Sequence, residues 1–438
     1  MVRSAGSKRP HSSRLVSLGV RSLASIADQG ASAAITFLSS VFVGRLMGAE
    51  ALGIFAMTSV LVMAVRQAQA GAVLDPLSVY GPRRLPEERR GYFGFVAALQ
   101  VIWVGGITGV SALAGALLWF DGVIDTASVH AILASLLYAN LITLQYMLRR
   151  RFYVEEMPER ALVQSLAFLC LCLVAFALYA MAARVSVVGV YVVLSACSLL
   201  VCLADGRGFR RAAGLPSSAE RSRYLREHRQ FGGWTLLTVP MSIISYQAYF
   251  LVAGSVLSVE EAGYLKAADA LVAPFAQAAI GVSLMFVPIA ARRLDSMGMG
   301  AQVRYAARLV AVTMAMAAAY AAAVFLLGVR LTTLIFGQHM AAAADVVHTM
   351  ALVPVMIAGG IPAGIMLAAH RRADLRFVAY GVAGVLSALV GFPLVAWTGI
   401  EGAAWGLVLS QAALSISLWL ALVLRRRPEP AGQETRRG

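Results

Sequence analysis

Long apolar runs separated by short, Arg-rich polar segments repeat from one end of the chain to the other. Read against that punctuation, the runs lie near residues 18–45, 53–80, 92–119, 128–149, 160–183 and 185–204, and then near 231–256, 263–290, 304–328, 344–369, 375–398 and 402–424. Each reaches the roughly 20 mostly apolar residues that a helix needs to cross a bilayer. The pattern therefore predicts an all-α integral membrane protein with twelve transmembrane helices. Composition agrees: of 438 residues, 60% are hydrophobic and only 13% charged, with mean hydropathy +0.76, where a soluble domain is about half apolar and about a quarter charged. The first run follows Arg3, Lys8, Arg9 and Arg14, as in a signal peptide, but it is too long for one and eleven more follow. It is read as retained.

The net charge of +15 comes from 35 Arg and 2 Lys against 22 acidic residues. Such an excess points to nucleic acid when it forms a patch, but here it is broken into clusters between apolar runs, which is how membrane proteins keep Arg and Lys in the cytoplasm. Placing the N-terminus inside puts every cluster inside, including Arg83, Arg84, Arg149 to Arg151, Arg292, Arg293 and Arg425 to Arg427. Arg45, Arg184 and Arg330 are the cations of the outer segments. Both termini are expected to be cytoplasmic, with no nucleic-acid partner. Cys170, Cys172, Cys197 and Cys202 all fall inside apolar runs and read as small core residues rather than metal ligands or disulfides.

The basic stretch 205–230 separates six spans from six. The expected organisation is a basic N-terminus at 1–17, a six-helix bundle at 18–204, a cytoplasmic linker at 205–230, a second bundle at 231–424 and a tail at 425–438. Two related bundles invite a search for a repeat. At an offset of 210, Gly44 to Arg83 lies without gaps on Gly254 to Arg293 with ten of forty positions identical, among them Gly44/Gly254, Glu50/Glu260, Gly53/Gly263, Gln67/Gln277, Gly71/Gly281 and Arg83/Arg293. Both halves enter from the same side, so the repeat is parallel.

The repeat extends span 2 to about Tyr80 and so sets Arg66 and Gln67 near mid-membrane. A guanidinium there costs several kcal/mol unless it faces water or a partner, so Arg66 is expected to face a cavity. Asp28 and Gln29 of span 1, Lys266 and Asp269 of span 8, and Gln247 and Tyr249 of span 7 complete a polar set. Each has a plainer reading. Lys266 and Asp269, three apart, fit a self-neutralising pair near the headgroups. Arg21 fits a cytoplasmic anchor, Asp75 a cap before Pro76, and Arg66 with Asp28 an internal salt bridge. Pro240, Pro274, Pro288, Pro354, Pro362 and Pro393 interrupt second-half spans, as backbone at membrane depth tolerates when buried or lining a cavity.

Catalytic patterns are missing. Neither Lys8 nor Lys266 follows a Gly, so there is no phosphate-binding Gly-Lys-Ser/Thr loop. There is no His-Glu-x-x-His and no Gly-x-Ser-x-Gly. The chain is read as a non-enzyme without a cofactor.

Residues Val43 to Ala56, the echo Gly254 to Lys266, and Gly402-Ala403-Ala404-Trp405-Gly406-Leu407-Val408-Leu409-Ser410-Gln411 resemble the span 1–2 junction, the span 7–8 junction and the last span of bacterial polysaccharide (Wzx-type, O-antigen) flippases. Those belong to the multidrug, oligosaccharidyl-lipid and polysaccharide (MOP) exporter superfamily. The resemblance implies a MATE-like fold of two pseudo-symmetric six-helix bundles around a central cavity, in the bacterial inner membrane. It also implies alternating-access flipping of undecaprenyl-pyrophosphate-linked oligosaccharide toward the periplasm. Membrane lipids and polysaccharide polymerase or export machinery would be its partners. Arg66, helped by Arg21 and Lys266, would meet the pyrophosphate, since a guanidinium forks onto phosphate oxygens, and Gln67, Gln247 and Gln277 would line the cavity. Asp28, then Asp269, would couple an ion gradient. The alternatives are a multidrug or organic-cation antiporter of the same superfamily, a peptidoglycan-precursor flippase, or a membrane glycosyltransferase.

Overall fold

The computed structural model describes residues 11–120, 126–181, 184–294, 299–370 and 372–424. Among them every regular element is helical. The α-helices are α1 (His11–Gln69), α2 (Asp75–Tyr80), α3 (Pro86–Phe120), α4 (Thr126–Val154), α5 (Pro158–Ala180), α6 (Val187–Ala212), α7 (Ser218–Ser242) and α8 (Ala248–Val256). They continue with α9 (Val259–Leu294), α10 (Met299–Phe336), α11 (Ala344–Met350), α12 (Val353–Ala369), α13 (Ala373–Leu386), α14 (Phe392–Thr398) and α15 (Ile400–Leu424).

Ten described helices are long and apolar enough to cross a membrane, and Gln338–Met350 with Val353–Ala369, bent by 41°, adds an eleventh. The twelfth is folded into Ala27–Arg83, whose 57 residues would run about 85 Å if straight, against a hydrocarbon core of about 30 Å. Gly48 breaks that helix with φ 87° and ψ −174°, a conformation open to glycine because it has no Cβ. The two arms lie side by side: Ser32 and Thr36 before the bend line the same cavity as Arg66 after it. Spans 1 and 2 are therefore a hairpin with almost no loop, and Leu257 makes a similarly short junction between α8 and α9.

Three five-residue π-helical segments interrupt spans: Ala70–Leu74 before Pro76, Ile243–Gln247 after Pro240, and Ser387–Gly391 before Pro393. Proline lacks the N–H that would close an α-turn, and a π-bulge lets the helix resume past the missing bond. Asp75 sits on the first of these breaks, where the sequence placed it.

α1 to α6 form one bundle and α7 to α15 the other. The segment expected as a linker is itself mostly helix. α6 runs on to Ala212, and α7 begins at Ser218 under a capping box in which Ser217 accepts from the Glu220 N–H while the Glu220 carboxylate accepts from the Ser217 N–H at 2.8 Å. α7 has contacts on both sides. Gly232 and Thr235 press on Gly71 of the first bundle, while Trp234 meets Phe377, and Met241 meets Gly384, in the second.

At the end of the bundles remote from the Arg clusters, α1 crosses α9. A Cβ on Gly53 would run into the Val259 carbonyl, and one on Gly263 into the Ala49 carbonyl. Nearby, Arg45 Nη1 donates to the Leu334 and Ile335 carbonyls at 2.6 and 2.9 Å, His339 Nε2 lies 2.9 Å from the Gly44 carbonyl, and Phe336 packs on Gly44. An Arg on the last carbonyls of α10 meets the negative end of that helix's dipole.

Candidate functional site

The polar residues inside the first bundle converge from spans 1, 2, 4 and 5. Asp28 is fully buried. Its carboxylate accepts from Tyr153 Oη at 2.5 Å and Ser165 Oγ at 2.5 Å, and pairs with Arg149 Nη1 at 3.3 Å. Arg149 Nη1 also donates to Ser32 Oγ at 2.5 Å and Ser165 Oγ at 2.9 Å. Burying a carboxylate is costly unless it is paired and hydrogen-bonded; here spans 1, 4 and 5 supply both. The salt bridge expected between Arg66 and Asp28 is not the one formed. Arg149 takes that place, so one of the cations assigned to a cytoplasmic cluster is a bundle residue.

Arg66 also stands against Tyr146. Its guanidinium lies 4.7 Å from the ring centroid and that of Arg149 lies 4.5 Å from it, so one aromatic ring carries two cations. Ring stacking attracts a guanidinium but does not neutralise it. Among the described residues Arg66 has no carboxylate partner; its Nη1 approaches Met63 Sδ at 3.7 Å, and its Nε is buried without a hydrogen bond. The Oε1 of Gln145, a residue 2% exposed, is likewise unpartnered. Arg66, Arg149, Gln145 and Tyr146, together with Ser32, Thr36 and Ser165, line a narrow cavity of about 10 Å³, room for roughly one water. Arg66 thus faces a cavity, as its depth predicted, but that cavity lies within the first bundle.

The second bundle holds a self-contained pair. Lys266 Nζ binds Asp269 Oδ2 at 2.8 Å, Tyr246 Oη donates to Asp269 Oδ1 at 2.7 Å, and Lys266 lies 5.0 Å from the Phe250 ring. With side chains 12% and 6% exposed, this is the neutral i,i+3 pair of the plainer reading, except that Lys266 packs inward on Phe250 instead of snorkelling. Gln67 Oε1 accepts from Ser242 Oγ at 2.5 Å, a polar link from span 2 to α7. Gln247 lies in the π-segment after α7 and Gln277 on α9, both half-buried. Tyr249 packs against Gly391 and Gly406 inside the second bundle. Arg21 is on α1, and its side chain lies outside the described residues.

Sequence reading passed over Arg149, Tyr146, Tyr153, Ser165 and Tyr246. For three of them a signal existed: Gln145, Tyr146, Arg149 and Tyr153 follow one another at helical spacing and so share one face of α4.

A second polar knot fastens the Arg-rich end. Arg84 pairs with Glu227 and lies between two rings, 4.2 Å from Tyr92 and 4.3 Å from Tyr224. His228 bridges Tyr92 Oη at 2.9 Å and the Ala72 carbonyl at 2.9 Å. A carbonyl only accepts, so Nδ1 carries the proton and Nε2 accepts from the tyrosine. Burial pushes the His228 imidazole below its usual range and the Arg84 charge adds to this, against the pull of the Ala72 carbonyl.

No family model and no curated protein matches the chain. Solved structures do. A multidrug resistance MATE family transporter of the MOP superfamily in an inward-facing conformation aligns with TM-score 0.77 at 14% identity over 89% of this chain and 93% of its own. A Vibrio cholerae MATE transporter aligns at TM-score 0.68 and 14% identity over 96% and 98%. A Pyrococcus furiosus MOP superfamily transporter, described by a binding pocket of reverse polarity that suggests a different function, aligns at TM-score 0.67 and 14% identity over 93% and 94%. The fold is the all-helical, multi-pass fold of MATE transporters.

Proposed function

We propose that this chain is a MOP-superfamily flippase that carries an anionic, pyrophosphate-linked lipid oligosaccharide from the cytoplasmic to the periplasmic leaflet of a bacterial inner membrane by alternating access, with both termini cytoplasmic. The observation that carries the reading is the charge state of the two bundles. Asp28 and Asp269, the buried carboxylates of the polar set, each already hold a cation, whereas Arg66 holds no carboxylate among the described residues. A cavity with a surplus guanidinium suits phosphate oxygens. The Pyrococcus furiosus neighbour, with its pocket of reverse polarity, is a precedent for a change of charge on this fold.

Coupling falls to Asp28. A proton taken up on Oδ2 would turn that acceptor into a donor, so Tyr153 would have to reverse its hydrogen bond or let go, and the charge attraction for Arg149 would be lost. Protonation is thereby linked to how spans 1, 4 and 5 pack. Asp269, held by Lys266 and Tyr246, is the second candidate.

The neighbouring structures favour one other reading, a multidrug antiporter, in which a carboxylate would bind an organic cation. Proteoliposomes separate the two. Leaflet exposure of a labelled polyprenyl-pyrophosphate oligosaccharide, with and without a pH gradient, should be catalysed by the wild type and lost in Arg66→Ala at equal protein levels. Cationic-dye extrusion with no lipid flipping would establish the antiporter instead.

A further inference from the structure

On the outer flank of the first bundle, sharing no residue with the cavity at Arg66, a groove of about 490 Å³ runs between α5 and α6 from the end of α4. Its walls are two stripes at i, i+4, i+8 spacing: Val163, Ala167 and Leu171 on α5, and Leu200, Ala204 and Gly208 on α6. Eight residues of helix rise about 12 Å, so the walls extend that far from the Arg-rich end toward mid-membrane. Val163 and Leu200 remain 65% and 54% exposed, open to lipid.

The mouth is polar and of mixed charge. Arg151 and Arg160 line it, as do Asp205 and Gln164. Arg151 shares its Nε with Glu155 at 2.8 Å, and Arg160 has no carboxylate partner among the described residues. Gln164 is 4% exposed; its Nε2 donates to Asp205 Oδ2 at 2.7 Å, and its Oε1 is buried with no partner. A carboxylate only accepts, which fixes that amide orientation. The groove thus presents, side by side, Arg160 without a carboxylate among the described residues, Arg151 shared with Glu155, the Asp205 carboxylate with one oxygen taken by Gln164, and Gln164 Oε1 without a donor.

We propose that this groove is a binding site for a phospholipid of the phosphatidylethanolamine type. Its phosphodiester lies on Arg160 and Arg151, its primary ammonium on Asp205 and Gln164 Oε1, and an acyl chain along the α5 and α6 stripes. Basic pockets between transmembrane helices hold lipid headgroups in this way. The carboxylate in this one selects a headgroup with N–H donors over choline, which has none, and over a glycerol headgroup, which brings no positive charge. The site is independent of the transported substrate.

Native mass spectrometry of the full-length protein, titrated separately with phosphatidylethanolamine, phosphatidylcholine and phosphatidylglycerol of identical chains, tests it. The wild type should retain the ethanolamine lipid about tenfold better than either other, the worth of one charge-assisted hydrogen bond. Arg160→Gln should lower retention of all three by a similar factor. Asp205→Asn, which can still accept from Gln164, should abolish the preference for ethanolamine over choline while leaving choline-lipid retention unchanged. Arg207→Gln, outside the groove, should match wild type, with melting temperatures reported for every variant. Equal retention of the three lipids, a preference for phosphatidylglycerol, or wild-type retention by Arg160→Gln would overturn the proposal.

Discussion

Gly53 and Gly263 press on each other's helices in matching fashion: Gly53 meets the backbone of Val259, and Gly263 meets that of Ala49. The offset of 210 that relates the two glycines also relates Ala49 to Val259. The repeat seen in the sequence is therefore a pair of equivalent contacts across the bundle interface, and a side chain at either glycine strikes a carbonyl that helix geometry holds fixed. Gly53→Ala and Gly263→Ala should each cost about 1 to 3 kcal/mol by overpacking, read as a lowered melting temperature in detergent. Gly105→Ala, with nothing near its Cβ, should cost nothing. Equal melting of all three would mean that the crossing is not tight.

Removing the charge of Asp28 leaves Arg149 buried without its counter-ion. Breaking a buried pair in this way costs about 3 to 5 kcal/mol, so Asp28→Ala should melt well below wild type. Replacing both members, Asp28→Leu with Arg149→Met, should recover most of the loss. A double variant no more stable than Asp28→Ala would show that the hydrogen bonds, and not the charge balance, hold the site.

Tyr246→Phe deletes one hydrogen bond to a charged acceptor in the second bundle, worth about 1.5 to 3 kcal/mol. Asp269→Asn leaves Lys266 on the Phe250 face without an anion and should cost more. Thermal melting of the two variants ranks them, and the reverse order would mean that Lys266 reaches water.

The knot at the Arg-rich end should depend on pH. A folded-state pKa below the unfolded value means that the unfolded chain binds the proton more readily. The contribution of His228 is therefore present above about pH 6.5, its ordinary value, and is lost as pH falls through the lowered folded value. Protonation also removes the Nε2 lone pair that accepts from Tyr92. Protection factors in residues 220–230, with the intrinsic pH dependence of amide exchange divided out, should fall on acidification from pH 7 and should lose that dependence in His228→Asn. Protection that does not change with pH in wild type would remove His228 from the knot.

Span number, the short junctions after spans 1 and 7 and the breaks near Pro76, Pro240 and Pro393 could be read from the sequence because each follows from a local rule, apolar length or a missing N–H, although α9 runs through Pro274 and Pro288 as unbroken helix. The expectation that Arg66 would line a cavity also came from its place within span 2, and it does line one. What could not be read is which partner a buried charge finds. Pairing Asp28 with Arg149 instead of Arg66 depends on how spans 1 and 4 turn about their axes, which the packing of whole faces sets. Arg149 also sits beside Arg150 and Arg151, where the positive-inside pattern masks a residue that points into the bundle. Only the tyrosines at helical spacing around it, Tyr146 and Tyr153, mark its face.

α7 lies against both bundles, with Gly232 and Thr235 on span 2, Trp234 and Met241 on α13, and Glu227 on Arg84. It is less a connector than a wall that two rooms share. Residues 213–217 are fastened as well, Gly214 N–H donating to the Arg90 carbonyl at 2.8 Å. A chain cut there keeps, on its second piece, the surface by which that piece holds the first.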